Sequence, residues 1–181
     1  MSNLQEASIA LKPLQQGECD SLCGVYAIIN AIRLACYPRE VDSQILFDAA
    51  IDYLIAKDRL AEVIRYGMGT AGWRRLLNHM VALPALPVPL KAVSVSISDS
   101  TLPLADHLSH SLHAGAPVLL ELTGHCQHIT VATQITTRRL VLFDSDRMQW
   151  VELRSLALAS LRQKSRYSIV KGSLLELVRT S

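Results

Sequence analysis

An α+β fold is predicted for this chain of 181 residues by three observations. Apolar residues recur at helical spacing through the first half; three prolines interrupt the chain in "PALPVPL", residues 84–90; short apolar runs with strand character follow. Helices first and antiparallel strands later make two segregated layers rather than an alternating α/β sheet. The chain is read as one domain over 1–181, a helical lobe over about 1–83 and a sheet lobe over about 90–181.

The elements follow in order. From Cys23 to Tyr37, Ile28, Ile29, Ile32 and Ala35 lie at helical spacing, and Val25 and Leu34 widen the stripe until the helix is apolar nearly all round. Such a helix belongs inside the protein, and Pro38 ends it. A second helix starts near Asp42 or Ser43 and runs through "QILFDAAIDYLIAKD", with "RLAEVIRYG" continuing it to a stop at Gly67. Thr70 is read as the N-cap of "AGWRRLLNHMVAL". After the prolines, "KAVSVSI" alternates as a strand, and a helix from about Leu104 to His113 ends at Gly115. "PVLLEL", "HITVATQI" and "RLVLFDS" are strands with turns at "TGHCQ" and "TTR". "QWVEL" and "YSIVK" are further strands, and "LLELVR" is a strand or a short helix.

Composition excludes several classes. Half of the residues are hydrophobic and 19% charged, which a disordered chain does not show. A net charge of +2, with Arg74-Arg75 and Arg138-Arg139 as isolated surface pairs, lacks the concentrated positive field of a nucleic-acid binder. No apolar stretch reaches about 18 residues, so no membrane span is expected. The N-terminal segment has no signal-peptide pattern, and four cysteines without an export signal suggest a reducing compartment, with the cytoplasm as the expected location.

Free thiols then direct attention to chemistry. Cys23 stands at the first turn of the buried helix, where a helix N-terminus supplies partial positive charge and free N–H groups that favour a thiolate. Gly24 lets another backbone or a substrate approach closely. Cys19 has no comparable field, and Cys36 falls at the electronegative end of the same helix. A thiol nucleophile needs an imidazole base, a group to orient the imidazole, and donors for an oxyanion. His128 opens an apolar strand and is placed to project from a sheet edge into a cleft; His125 lies in the preceding turn. Asp144 follows sixteen residues later, and a hairpin about "TTR" would return it to the end of the sheet where His128 starts. Asp146 is its competitor. Gln16 and Gln15, seven and eight residues before Cys23, are the candidate side-chain donors to an oxyanion.

Other groupings carry weaker signals. His107, His110 and His113 recur three apart on one helix face and read as a solvated surface. Four of Cys19, Cys23, His125, Cys126 and His128 could hold a structural zinc if their two segments met, the rival reading to a catalytic site. A third reading is a non-catalytic binding module on the same fold.

In the order glutamine, cysteine, histidine, aspartate, the chain resembles the papain-like cysteine peptidase superfamily, and within it the compact bacterial C39-like peptidases. The resemblance rests on Gln16, on Cys23-Gly24 with "VYAIINAI" behind, on His128 in "HITVAT" and on Asp144 in "VLFDSD". The matched segments cover about a quarter of the chain, while their order spans most of it. The sequence departs from the usual pattern in a Gln-to-Cys interval one residue longer, in Leu22 before the cysteine, and in Ser145 where proline is common. The resemblance implies a papain-like fold and a Cys23–His128–Asp144 triad with Gln16 at the oxyanion. It also implies hydrolysis of a peptide or isopeptide bond in a peptide or protein substrate, without metal or cofactor. Acyl transfer to an amine would use the same parts.

Overall fold

The computed structural model describes residues 3–95, 104–158, 165–170 and 172–180, excepting the side chains of Leu104, His107 and Leu158. Five helices come first: α1 (Asn3–Ala10), α2 (Cys23–Cys36), α3 (Ser43–Ala56), α4 (Leu60–Tyr66) and α5 (Thr70–Val81). Strand β1 (Leu90–Ser94) and helix α6 (Leu104–His113) follow. Then come β2 (Val118–Gly124), β3 (His128–Ile135), β4 (Arg139–Leu142), β5 (Trp150–Glu152), β6 (Leu156–Leu158), β7 (Tyr167–Ile169) and β8 (Leu175–Arg179). The chain is therefore α+β. The sheet runs β1-β8-β2-β3-β4-β5, with β7 paired to β2 and β6. Every pairing is antiparallel except β6 with β7.

Helix α2 sits at the centre because eleven of its fourteen residues are buried, including Val25, Ile28, Ile29 and Ile32. It packs on β3 and is flanked by α3 and α5. The polar exception, Asn30, is wholly buried and satisfied at both ends of its amide. Its Oδ1 accepts the Leu14 N–H at 2.9 Å, and its Nδ2 donates to the Leu14 carbonyl at 3.1 Å. Arg33 adds a bond to the Lys12 carbonyl at 2.9 Å. The loop carrying Gln15 and Gln16 is thus moored to the central helix two turns beyond Cys23.

Several boundaries differ from expectation for local reasons. Helix α1 was not anticipated. The segment after α3 does not continue it: Asp58 turns into the left-handed region at φ 52°, and α4 begins afresh at Leu60. Asp42 caps α3, its side chain accepting the Gln44 and Ile45 N–H groups. Thr70 is not a cap, since Gly69 occupies that position and the Thr70 hydroxyl donates elsewhere. "LLELVR" is a strand paired to β1 and β2. The last two residues of "KAVSVSI" and the last of "YSIVK" lie outside the described residues. Among the described residues no helix is long and apolar enough to cross a membrane.

Candidate active site

The approach to α2 is built by Asp20. Its Oδ2 accepts the Gly17 N–H and its Oδ1 the Leu22 N–H, each at 3.0 Å, so the loop is wound by one carboxylate into the start of the helix. The Ser21 N–H donates to the Ile64 carbonyl at 3.0 Å and ties this turn to α4. Leu22 holds the N-cap position without a side-chain cap, so the leading N–H groups of α2 stay available beside Cys23. Gly24 permits the close fit of that helix start. A Cβ there would stand 2.9 Å from Met68 Cε and 3.0 Å from Ile129 Cδ1.

His128 begins β3 and is buried. The β3·β4 hairpin pairs Ala132 with Leu142, and the Phe143 N–H still donates to Val131 at 2.8 Å. The chain thereby carries Asp144 back beside His128. His128 Nε2 and Asp144 Oδ2 are 2.6 Å apart. Asp144 Oδ1 accepts the N–H groups of Asp146 (2.8 Å) and Met148 (3.0 Å), which fix the carboxylate from behind. Asp146 itself is exposed, and its part in this cluster is the backbone N–H.

The electrostatics follow from this geometry. Burial works against a charged imidazole, but hydrogen bonding to Asp144 and Cys23 and the negative charge on each outweigh it and push the His128 pKa well above its ordinary value. Burial likewise opposes charge on Asp144; the hydrogen bond and charge of His128, with the Met148 N–H, hold its carboxyl below the usual range. With Nε2 committed to Asp144, Nδ1 is the ring nitrogen left for the sulfur.

The two glutamines part company. Gln15 Nε2 donates to the Asp144 carbonyl at 3.0 Å and to Pro13 at 3.2 Å, so this side chain braces the aspartate loop. Gln16 lines the cleft with Cys23 and His128, while its backbone N–H bonds to Ser145 at 3.0 Å. Among the described residues its Oε1 is buried without a hydrogen-bond partner, and Nε2 is the end of the amide that can donate.

The cleft has a volume of about 480 Å³. A larger hollow of about 750 Å³ lies at the other end of the β3·β4 hairpin, walled by Arg138, Arg139 and Arg154, with neither cysteine nor histidine in its lining. Cys126 shares the Cys23 cleft; burial and the charges of Asp144, Asp146 and Cys23 push its thiol up. Cys36 is wholly buried, its thiol raised to about 11 chiefly by burial, and Cys19 is exposed. His125 contacts Arg166 at 3.3 Å and stacks edge-on against Tyr167. Among the described residues no three His, Cys, Asp or Glu side chains are grouped to hold a metal ion. His113 bonds the Ser109 carbonyl in its own helix.

Comparison of the chain with family models, curated proteins and solved structures gave no match.

Sequence reasoning did not single out Glu121, although it interrupts the apolar run "PVLLEL". Its Oε2 accepts the Thr70 hydroxyl at 2.6 Å and the Trp73 indole N–H at 3.0 Å, joining β2 to α5, and the residue lines the Cys23 cleft. A lone carboxylate in an apolar strand was the available signal. Nor did sequence reasoning identify Asn30 as the mooring of the glutamine loop.

Proposed function

We propose that this protein is a papain-like cysteine peptidase, hydrolysing a peptide or isopeptide bond with Cys23 as nucleophile, His128 as acid and base, and Asp144 as the group that orients and charges His128. The observation that carries this reading is the buried 2.6 Å contact between His128 Nε2 and Asp144, in a cleft that also holds Cys23. A core helix with the thiol at its uncapped start, packed on an antiparallel sheet that bears the histidine, supports the fold assignment.

The chemistry runs in two steps. His128, protonated and held by Asp144, keeps Cys23 as thiolate. The sulfur attacks the scissile carbonyl carbon, and the carbonyl oxygen takes the negative charge. The Cys23 backbone N–H and Gln16 Nε2 stabilise that oxyanion. His128 gives its proton to the leaving amine as the C–N bond breaks, leaving a thioester on Cys23. It then takes a proton from water, whose oxygen attacks the thioester and releases the acid and the thiolate. All four cysteines are unpaired, which fits action in a reducing compartment and a cytoplasmic location.

Alkylation with iodoacetamide at pH 6 tests the reading, because an ordinary thiol is mostly protonated and slow there. Peptide mapping should find Cys23 modified ahead of the exposed Cys19, with the advantage lost in His128→Ala. Preferential modification of Cys19, or a Cys23 rate indifferent to His128, would refute it.

A further inference from the structure

Apart from His128, which is paired with Asp144, the charged side chains lining the Cys23 cleft are all carboxylates. Asp20, Glu121 and Asp146 contribute to its wall, and among the described residues no lysine or arginine lines it. Two of these carboxylates have ordinary explanations. Asp20 spends both oxygens on the backbone of its own turn, and Asp146 stands exposed on a loop.

Glu121 is different. It lies mid-strand in β2, half-buried, with Oε2 held by two neutral donors, Thr70 and Trp73. No ion pair among the described residues involves it, and Oε1 accepts no hydrogen bond among them. A glutamine could join β2 to α5 through the same two bonds without the cost of desolvating a charge. The fold therefore needs the acceptor but not the charge.

Position gives the charge a use. Glu121 pairs with Ile129 across β2·β3. Ile129 and Trp73, the latter bonded to Glu121, are both among the nearest neighbours of a Cβ built at Gly24, the residue after Cys23. The carboxylate thus lines the same cleft as the nucleophile, on the strand beside the one that carries His128. Tyr66, 79% exposed, and Met68 add apolar surface to the same cleft, along which the methylene stem of a long basic side chain can lie.

We infer that Glu121 is a specificity-determining residue and that the substrate carries a lysine or arginine side chain beside the bond that is broken. The inference rests on the reading of Cys23 as nucleophile. A carboxylate held by two neutral donors, with no cation beside it among the described residues, is a preorganised acceptor for an ammonium or guanidinium group, whereas an acidic substrate would meet like charges.

The test uses the full chain and dipeptidyl chloromethyl ketones bearing lysine, norleucine or glutamate at the first or second residue before the ketone. The rate of Cys23 modification is followed by mass spectrometry. In at least one position the lysine probe should react about tenfold or more faster than norleucine, the value of one charge-assisted hydrogen bond, and glutamate should react most slowly. In Glu121→Gln the lysine advantage should collapse while the melting temperature holds, because the amide still accepts from Thr70 and Trp73. Lysine and norleucine rates equal within about twofold, or an advantage that survives in Glu121→Gln, overturn the inference. Modification of Cys23 by norleucine without charge preference sinks this inference alone; failure of every probe to modify Cys23 removes the nucleophile and the inference together.

Discussion

Replacing Asp144 by asparagine isolates one charge and predicts a stability change whose size depends on pH. The side chains of His128 and Asp144 are 6% and 1% exposed, so solvent screens their 2.6 Å contact little. The amide has one oxygen for two tasks that the carboxylate performs with two. If that oxygen faces His128, the Asp146 and Met148 N–H groups meet an NH2; if it faces them, the NH2 meets His128 Nε2. Removing one partner of a buried pair costs about 3–5 kcal/mol, and the oxygen that remains places Asp144→Asn at the lower end, about 3 kcal/mol. The pH dependence follows from the two shifts. The raised His128 pKa contributes stability that is full below 6.5, its unfolded value, and is lost as pH rises through the higher folded value. The lowered Asp144 pKa contributes stability that is present above 3.8 and is lost as pH falls through the lower folded value. The pair therefore contributes most between those two unfolded values. In the variant burial still opposes charge on His128 while only Cys23 favours it, so the loss of stability above pH 6.5 should be weakened. Urea denaturation of both proteins at pH 5.5 and pH 9 measures this. A difference below about 1 kcal/mol at pH 5.5, the scale of an exposed pair, or one unchanged at pH 9, would refute the reasoning.

Four further variants have expected outcomes. Gln16→Ala should lower kcat about a hundredfold with little change in melting temperature. Gln15→Ala should instead cost about 1 kcal/mol of stability through its lost bond to Asp144, with kcat and thermal melts separating the two roles. Asn30→Ala leaves both backbone groups of Leu14 without their partner and should destabilise by about 2–3 kcal/mol, read from urea midpoints. Gly124→Ala should cost about 2 kcal/mol by the same measurement, because its φ is 101° and a Cβ would stand 2.7 Å from the Arg166 carbonyl oxygen.

Much of the architecture was legible because its signals are local. The apolar period of α2, the stop at Gly67 and the strand after "TGHC" depend on residues within a turn or two of each other. The boundaries that failed did so where a distant partner decided the matter. Thr70 reads as a cap until Glu121, fifty-one residues away, takes its hydroxyl. "LLELVR" is too short and too apolar to choose its own state, and pairing with β1 and β2 makes it a strand.

The candidate site divides along the same line. Cys23 at a helix start, and His128 with Asp144 sixteen residues later across one hairpin, could be reached by counting, since helix ends and hairpins are short-range geometry. The choice of Asp144 over Asp146 beside the imidazole, the bracing of that loop by Gln15 across 129 residues, and the position of Gln16 in the cleft came only with the folded chain. The place of Glu121 in the cleft, bonded to Thr70 and Trp73, belongs with them. A carboxylate's partners are chosen by which strands and helices come together, and side chains far apart in sequence carry no periodicity that announces they will meet.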